Sequence, residues 1–144
     1  MTRTPLSDRP CPIARTSDVL GDRWALLVLR DAMEGVTTFA EFRRRSGVSA
    51  TVLSDRLDRL VRLEVLKRKP VGAGSDRHTY ALTKKGRGLF PVLIAMHQWG
   101  EHWMFDGTCP VQLSAKGKRL APIDVSDEDG RRVTPDELTV LRDT

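Results

Sequence analysis

Apolar and polar positions between residues 38 and 62 follow a pattern that predicts two short helices joined by a tight turn. Apolar side chains recur at helical spacing, at positions 39 and 42 in the first helix and at 53, 57 and 60 in the second. Thr38 and Glu41 form a predicted capping box before the first helix, and Ser49 is placed to cap the second. Gly47 can supply the left-handed backbone that a sharp turn requires. The pattern therefore predicts a helix-turn-helix.

After the second helix the pattern becomes that of a β-hairpin. Residues 66–71 and 77–82 are predicted strands, and the stretch from Gly72 to Asp76 is a predicted turn. A hairpin in this place is typical of the winged helix-turn-helix, which presents its second helix to the major groove of DNA. We predict a mainly α fold with a small β-hairpin wing.

Further helices are predicted on either side of this motif. One begins near Pro12, because proline is favoured in a first turn, and another spans about residues 22–34. A long helix over residues 83–105 follows the wing, and we expect Pro91 to kink it because proline removes a backbone hydrogen bond.

The apolar stripe of this last helix is longer than a small winged domain can cover. We therefore predict a two-fold homodimer that forms through the N-terminal helix and the long C-terminal helix. The predicted interface residues on the long helix are Leu89, Leu93, Met96, Trp99 and Trp103.

The two ends of the chain differ from its middle. Residues 1–10 contain two prolines and are predicted to be a flexible arm, and residues 11–106 form the winged domain with its dimerisation helices. Residues 107–144 are a C-terminal extension. Within it, Asp129 and Gly130 predict a hairpin turn, and Thr134 is predicted to start a short helix that ends near Arg142.

The basic residues are concentrated in the winged motif. Residues 39–88 hold 13 lysines and arginines and 5 acidic residues, a net charge of +8, whereas the whole chain carries +5. The remainder is therefore at −3. A solvated basic surface would explain charge alone, but charge and helix order together favour neutralisation of DNA phosphates. We predict double-stranded DNA as the partner.

Small polar residues at the start of the second helix of the motif are the predicted base contacts. They are Ser49, Ala50, Thr51, Ser54 and Asp55. Hydroxyl groups can approach base edges, and the Ala50 or Thr51 methyl group can contact thymine. Arg59 lies deeper in the helix and is predicted to contact phosphate. The alternative is a solvated face with Asp55–Arg59 and Asp58–Arg62 pairs at i, i+4 spacing.

The predicted wing supplies a second set of DNA contacts. Ser75 and Arg77 lie at its tip, and an arginine there suits the narrow, electronegative minor groove. Lys67 and Lys69 are predicted to contact the DNA backbone beside it.

Other classes of protein have no support in the sequence. The longest apolar runs, residues 25–29 and 92–96, are far shorter than the ~20 residues of a membrane span. Residues 1–12 do not resemble a secretory signal, so we expect a cytoplasmic protein. The three histidines and two cysteines lack metal-ligand spacing, and no phosphate loop or nucleophile motif is present. We expect neither an enzyme nor a metal or cofactor site.

Several motifs in order carry a family resemblance. They are Cys11-Pro12-Ile13, Gly21-Asp22-Arg23-Trp24, Phe39-x-x-Phe42, Leu53-x-x-Arg56-Leu57-x-x-Leu60, Tyr80-x-Leu82-Thr83-x-x-Gly86 and Trp99-Gly100. Together they resemble the HxlR-type winged-helix regulators of bacteria. The resemblance implies a dimeric transcription factor, often a repressor. One departure is Glu64, which stands with Val65 where the family usually has glycine; it predicts either backbone strain or a different helix end.

Cys11 is the remaining candidate for chemistry. It precedes a predicted helix start, where the helix dipole lowers a thiol pKa, and Arg9 and Arg15 are near in sequence. Several proteins of the resembled family use an N-terminal cysteine to sense oxidants or electrophiles. The competing interpretation is a buried, inert cysteine, and Cys109 is interpreted as structural, with a redox pair across the dimer left open. We expect a DNA-binding regulator switched by an oxidant or a small ligand; the alternative is a winged-helix interaction module that does not bind DNA.

Overall fold

The computed structural model describes residues 5–142. These divide into two compact units, with the boundary along the chain between residues 90 and 91. The elements of the first unit are the helices α1 (Pro12–Leu20), α2 (Arg23–Met33), α3 (Phe39–Ser46) and α4 (Ala50–Arg62), the strands β1 (Leu66–Pro70) and β2 (His78–Leu82), and the short helix α5 (Lys84–Arg87). The predicted winged helix-turn-helix is confirmed.

Side-chain caps fix where the helices of the first unit begin. Asp22 accepts hydrogen bonds from the backbone amides of Trp24 and Ala25 at 2.9 and 3.0 Å, and so starts α2. The hydroxyls of Thr38 and Ser49 do the same at 3.3 Å for α3 and α4. The acidic half of the predicted capping box at Thr38 is wrong, because the Glu41 carboxylate accepts from Arg44 instead.

The apolar stripes of α2, α3 and α4 meet in one core. Its fully buried apolar side chains are Val28, Leu29, Phe42, Leu53, Leu57, Leu60, Val65 and Leu66. Phe42 packs edge-on against Tyr80 of β2, with ring centroids 6.3 Å apart. Gly47 between α3 and α4 has φ 67°, as the sharp turn requires. This packing holds α4 in a fixed orientation with one face towards solvent.

The wing is an antiparallel pair of strands in which Leu66 lies opposite Leu82 and Pro70 opposite His78. The free edge of β2 is partly covered, since the Tyr80 amide donates to the Thr37 carbonyl at 2.8 Å. This bond ties the wing to the chain that enters α3.

The junction between α4 and the wing keeps the glycine-like conformation that the resemblance implies, although Glu64 occupies it. Glu64 has φ 59°, and the Val65 amide donates back to the Leu60 carbonyl at 2.9 Å. The strain alternative is therefore the one observed. Gly86 of α5 lies against this junction, where a Cβ would clash with the Val65 carbonyl oxygen.

The prediction of one long helix over residues 83–105 is wrong. The chain forms α5 and then a separate helix, α6 (Phe90–Trp103), because Gly86 and Gly88 interrupt the helical run. Thr83 caps only the short α5, by accepting from the Gly86 amide at 3.0 Å. Pro91 lies in the first turn of α6, where its missing N–H costs nothing, so the predicted mid-helix kink is also wrong.

The second unit consists of most of α6 and the segment that follows it. That segment contains the strands β3 (Ser114–Ala115) and β4 (Lys118–Arg119) and a 3-10 helix over Pro135–Glu137. A bridge between Ser126 and Arg132 confirms the predicted hairpin turn at Asp129 and Gly130. The Gln98 side chain of α6 donates to the Ala121 carbonyl at 2.9 Å and accepts from the Ile123 amide at 2.8 Å.

The C-terminal helix is shorter than predicted. Thr134 starts the helix as predicted and forms a capping box with Glu137, but the helix stops after a single 3-10 turn and does not reach Arg142. Leu138 and Leu141, which would form its apolar stripe, are 71% and 90% exposed. Without packing to stabilise it, so short a helix does not propagate.

Candidate nucleic-acid interface

One face of α4 lies open to solvent and carries most of the predicted base contacts. Thr51, Ser54 and Asp55 are exposed and line a shallow surface depression, and Ala50 and Asp58 line it too. Phe39, at the start of α3, forms its edge. Leu53, Leu57 and Leu60 pack into the core, so the open face on the other side of α4 is turned towards solvent. The structure thus brings the predicted residues together on one helical face.

Ser49 differs from the others because its hydroxyl already has a structural role. Its oxygen accepts from the Val52 amide and so caps the helix. Its main contribution is to fix the N-terminus of α4, the end that enters the groove in helix-turn-helix proteins.

Two of the three arginines of α4, Arg56 and Arg59, turn away from this face. Arg59 is half-buried and its guanidinium donates to the Asp18 carbonyl at the end of α1. Arg56 Nε lies 3.0 Å from Asp22 Oδ1 at the start of α2. The two residues therefore brace α4 against the α1–α2 turn, and the predicted phosphate contact of Arg59 would require it to leave Asp18.

The Asp22–Arg56 pair affects the ionisation of both groups. Burial opposes the charged form of the Asp22 carboxyl, but Arg56 and the Ala25 and Trp24 amides outweigh it and lower the pKa of Asp22. The hydrogen bond to Asp22 is the largest cause that raises the pKa of Arg56. The pair is charged near neutral pH and links α4 to the rest of the first unit.

The carboxylates of α4 do not form the i, i+4 pairs considered as an alternative. Asp55 pairs with the adjacent Arg56, and Asp58 pairs with Arg68 of β1 at 3.1 Å. That alternative is therefore wrong in its partners. The Asp58–Arg68 pair connects α4 directly to the wing.

The wing presents two of its basic residues, Lys67 and Lys69, on the face opposite Leu66. Lys67 and Lys69 alternate with Leu66 and Arg68 along β1, and both lysines are exposed. Arg77 is also exposed, and its amide donates to the Ser75 hydroxyl at 3.1 Å. Ser75 thus shapes the turn, while Arg77 supplies the charge beside it.

Cys11 is the exposed N-cap residue of α1 in the single chain, so it is not buried as the competing interpretation required, and its reactivity stays a prediction. Residues 5–10 of the predicted flexible arm contact α1, and the first four residues of that arm lie outside the described part of the chain. The Leu6 amide donates to the Asp18 carboxylate at 2.8 Å, and Arg15 Nε donates to the Arg9 carbonyl at 2.6 Å. Cys109, in the second unit, is buried and its thiol lies 3.2 Å from the Val111 carbonyl oxygen.

The residues predicted for the dimer interface differ in exposure. Met96, Trp99 and Trp103 of α6 are largely exposed, whereas Leu89 and Leu93 are half-buried. In α1, Ile13 is 78% exposed. Both helices thus carry apolar side chains that face solvent in a single chain.

Two kinds of site are missing from the described part of the chain. Within residues 5–142, no three His, Cys, Asp or Glu side chains are grouped so that they could hold a metal ion. Over the same residues, the helices are too short or too polar to cross a membrane.

Comparison with known proteins gives consistent matches. The model of the HxlR-like helix-turn-helix family matches residues 19–107, more than half of the chain. An uncharacterized HTH-type transcriptional regulator of Mycobacterium tuberculosis is 38% identical over 92 residues, which cover 64% of this chain. The match spans only 58% of the length of that relative.

Solved structures agree with the family match. PA1607, a candidate transcription factor, superposes with a TM-score of 0.86 at 37% identity, over 95% of this chain and 98% of the other. The reduced form of the transcriptional regulator YodB from Bacillus subtilis gives 0.56 at 27% identity, over 69% and 99%. YodB is also known in diamide-treated and quinone-bound forms. On the strength of the family match and the winged fold, the chain belongs to the HxlR-like helix-turn-helix family.

Proposed function

We propose that this protein is a sequence-specific DNA-binding transcriptional regulator, acting as a repressor. The observation that carries the proposal is the open face of α4, where Thr51, Ser54 and Asp55 lie together, in a unit whose wing also carries exposed lysines. A helix of this kind enters the major groove, while basic residues at its sides neutralise phosphates. The names of the relatives support the same function.

The experiment is a binding titration with a fluorescent duplex taken from the intergenic DNA beside the gene. Thr51→Ala and Ser54→Ala are expected to weaken discrimination between duplexes by ~1–3 kcal/mol at particular base pairs. Arg77→Ala is expected to weaken binding to every duplex and to flatten the salt dependence by about 1 unit. Arg142→Ala, which removes an exposed arginine of the second unit, is the matched control. Unchanged binding in all three variants would show that this face does not bind DNA.

The proposed regulator is a homodimer formed through α1 and α6. Trp103 is 67% exposed in the single chain, and a second copy would bury it. Trp103→Glu is expected to give a monomer in multi-angle light scattering, because burying an unpaired carboxylate is unfavourable. Leu141→Glu changes an apolar residue of the same unit that is 90% exposed and should leave the mass unchanged. A native chain of monomer mass at micromolar concentration would contradict the dimer.

Cys11 is the proposed site of redox or electrophile control. Its exposure as the N-cap residue of α1 makes the thiol accessible to reagents. The diamide-treated and quinone-bound forms of YodB give the reagents to use. Diamide or quinone is expected to change operator affinity in the native chain and not in Cys11→Ser. Unchanged affinity after verified modification of Cys11 would refute the switch, and sensitivity retained in Cys11→Ser would transfer it to Cys109.

A further inference from the structure

The open face of α4 carries hydrogen-bond acceptors and hydroxyls over its first three turns, and its arginines there point elsewhere. Arg56 and Arg59 lie on the neighbouring stripe of the helix and are held by Asp22 and Asp18. The residues that remain on the open stripe are Thr51, Ser54, Asp55 and Asp58. The commonest contact to guanine, a bidentate arginine, is therefore not offered by this part of the helix.

Asp55 is the more available of the two carboxylates on this stripe. Its side chain is 61% exposed, against 43% for Asp58, whose Oδ1 atom is 3.1 Å from Arg68 of the wing. The Arg56 guanidinium donates to Oδ2 of Asp55, so Oδ1 of Asp55 can accept a hydrogen bond from an external donor. Arg56 also lies beside the carboxylate and offsets its charge, so the repulsion from nearby phosphates is reduced.

The chemistry of the major groove selects one base for such a group. Cytosine presents an amino donor at N4 with no acceptor beside it. Adenine also presents an amino donor, at N6, but its N7 acceptor lies next to that group and repels a carboxylate, and guanine presents only the acceptors O6 and N7. We infer that Asp55 reads the N4 amino group of a cytosine, so that each operator half-site carries a C·G pair opposite this residue. This inference rests on the proposed DNA binding and specifies what that binding recognises.

A selection from a random duplex pool tests this preference. The native chain is expected to enrich cytosine at one position of each half-site. Asp55→Asn should move the preference at that position to adenine, because a carboxamide pairs with adenine N6 and N7. Asp55→Ala should relax it to all four bases. Asp136→Asn, a change of an exposed carboxylate in the second unit, is the matched control and should keep cytosine.

A modified base provides the second arm of the experiment. A selected duplex is made with 2-pyrimidinone in place of the cytosine, which removes only the amino group. The native chain is expected to lose affinity by roughly 5- to 150-fold, the range for one good base contact. Asp55→Ala should bind the two duplexes equally. Melting temperatures of the Asp55 variants equal to that of the native chain will exclude a folding defect, since the side chain is exposed.

The outcomes separate this inference from the proposed function. If Asp55→Ala binds duplex DNA and selects the same sequence as the native chain, the cytosine contact is refuted and the regulator proposal stands. Enrichment of guanine opposite Asp55 would refute the contact in the same way. If the native chain enriches no duplex at low salt, the proposed function fails and this inference fails with it.

Discussion

The two units of the molecule reach order in different ways. The first buries a continuous apolar core from α2, α3, α4 and the wing, whereas α6 of the second has no buried side chain. Among residues 91–142, Cys109 is the one buried apolar residue. The second unit is held instead by ion pairs, by hairpin turns and by the two hydrogen bonds of the Gln98 side chain to the backbone of residues 121 and 123. The comparison teaches that the first unit is held by apolar packing, whereas the second leaves the apolar side chains of α6 exposed in the single chain.

Their charges differ as well. Residues 1–90 contain 18 basic and 10 acidic residues, and residues 91–144 contain 6 and 9. The first unit therefore carries +8 and the second −3. A polyanion would be attracted to the first and repelled by the second, which agrees with the open face of α4 and the wing as the proposed DNA contact.

The first prediction compares a glycine-to-alanine substitution in each unit. The substitution in the first unit has the largest expected effect of all the predictions. Gly86→Ala places a Cβ against the Val65 carbonyl oxygen, which is backbone and cannot move away, so we expect a loss of roughly 3 kcal/mol in the free energy of unfolding. Gly100→Ala in α6 meets open space and should be neutral or favour the helix by about 0.5–1 kcal/mol. Urea unfolding followed by circular dichroism measures both. Equal effects in the two variants would contradict the difference in packing.

A smaller effect is expected from the ion pair that braces α4. Asp22→Asn keeps a good helix cap but loses the charge facing Arg56, so we expect a loss of roughly 1 kcal/mol at pH 7. The folded chain lowers the pKa of Asp22 below its ordinary value of 3.8, so this stabilisation is present above that pH and disappears as pH falls through the folded value. Melting temperatures at pH 7 and pH 3 should therefore differ less in the variant than in the native chain.

The control for this prediction lies in the second unit. Glu137 also has a lowered pKa, chiefly through the hydrogen bond from the Thr134 amide, but it lies on the surface of the second unit. Glu137→Gln should leave the unfolding of the first unit unchanged at either pH. A parallel shift in both variants would indicate a general charge effect and not the Asp22–Arg56 pair.

The smallest predicted effect is a gain in stability. Glu64→Gly relieves a side chain held at φ 59°, and part of the gain is offset by the greater freedom of glycine in the unfolded chain. We expect a net stabilisation of about 0.5 kcal/mol. Lys116→Gly removes a similar left-handed side chain in the second unit, at φ 52°, and should not change the unfolding of the first. A destabilised Glu64→Gly chain would show that Glu64 contributes more by its contacts than it costs in strain.

The sequence predicts the first unit well because its signals are local and mutually consistent. Asp22, Thr38 and Ser49 start helices where expected, and Gly47 adopts the expected turn. The break between α5 and α6 was not predicted, because the apolar spacing continues across it and only Gly86 and Gly88 mark it. The β3–β4 hairpin was also missed, although the left-handed Lys116 and Gly117 are the kind of pair that forms a two-residue turn.

The candidate site could be predicted only in part. The sequence predicts Thr51, Ser54 and Asp55 as base contacts at the start of α4, and the structure has all three exposed on one face of that helix. Spacing could not show that Arg59 reaches back to Asp18, a contact across 41 residues that depends on how α1 packs. Nor could it show that Asp58 pairs with Arg68, since that partner lies on another element. The tertiary structure decides which partners long side chains contact, and the periodicity of the sequence carries no information about those contacts.

The most direct test of the account is the salt dependence of duplex binding by the native chain. DNA binding through the first unit predicts that the logarithm of the association constant falls linearly with the logarithm of salt concentration, with a slope of about −0.9 for each phosphate neutralised. Lys67→Ala and Lys69→Ala together should make that slope shallower by about 2 units. Binding that does not depend on salt, or no binding to duplex DNA at low salt, would contradict the account.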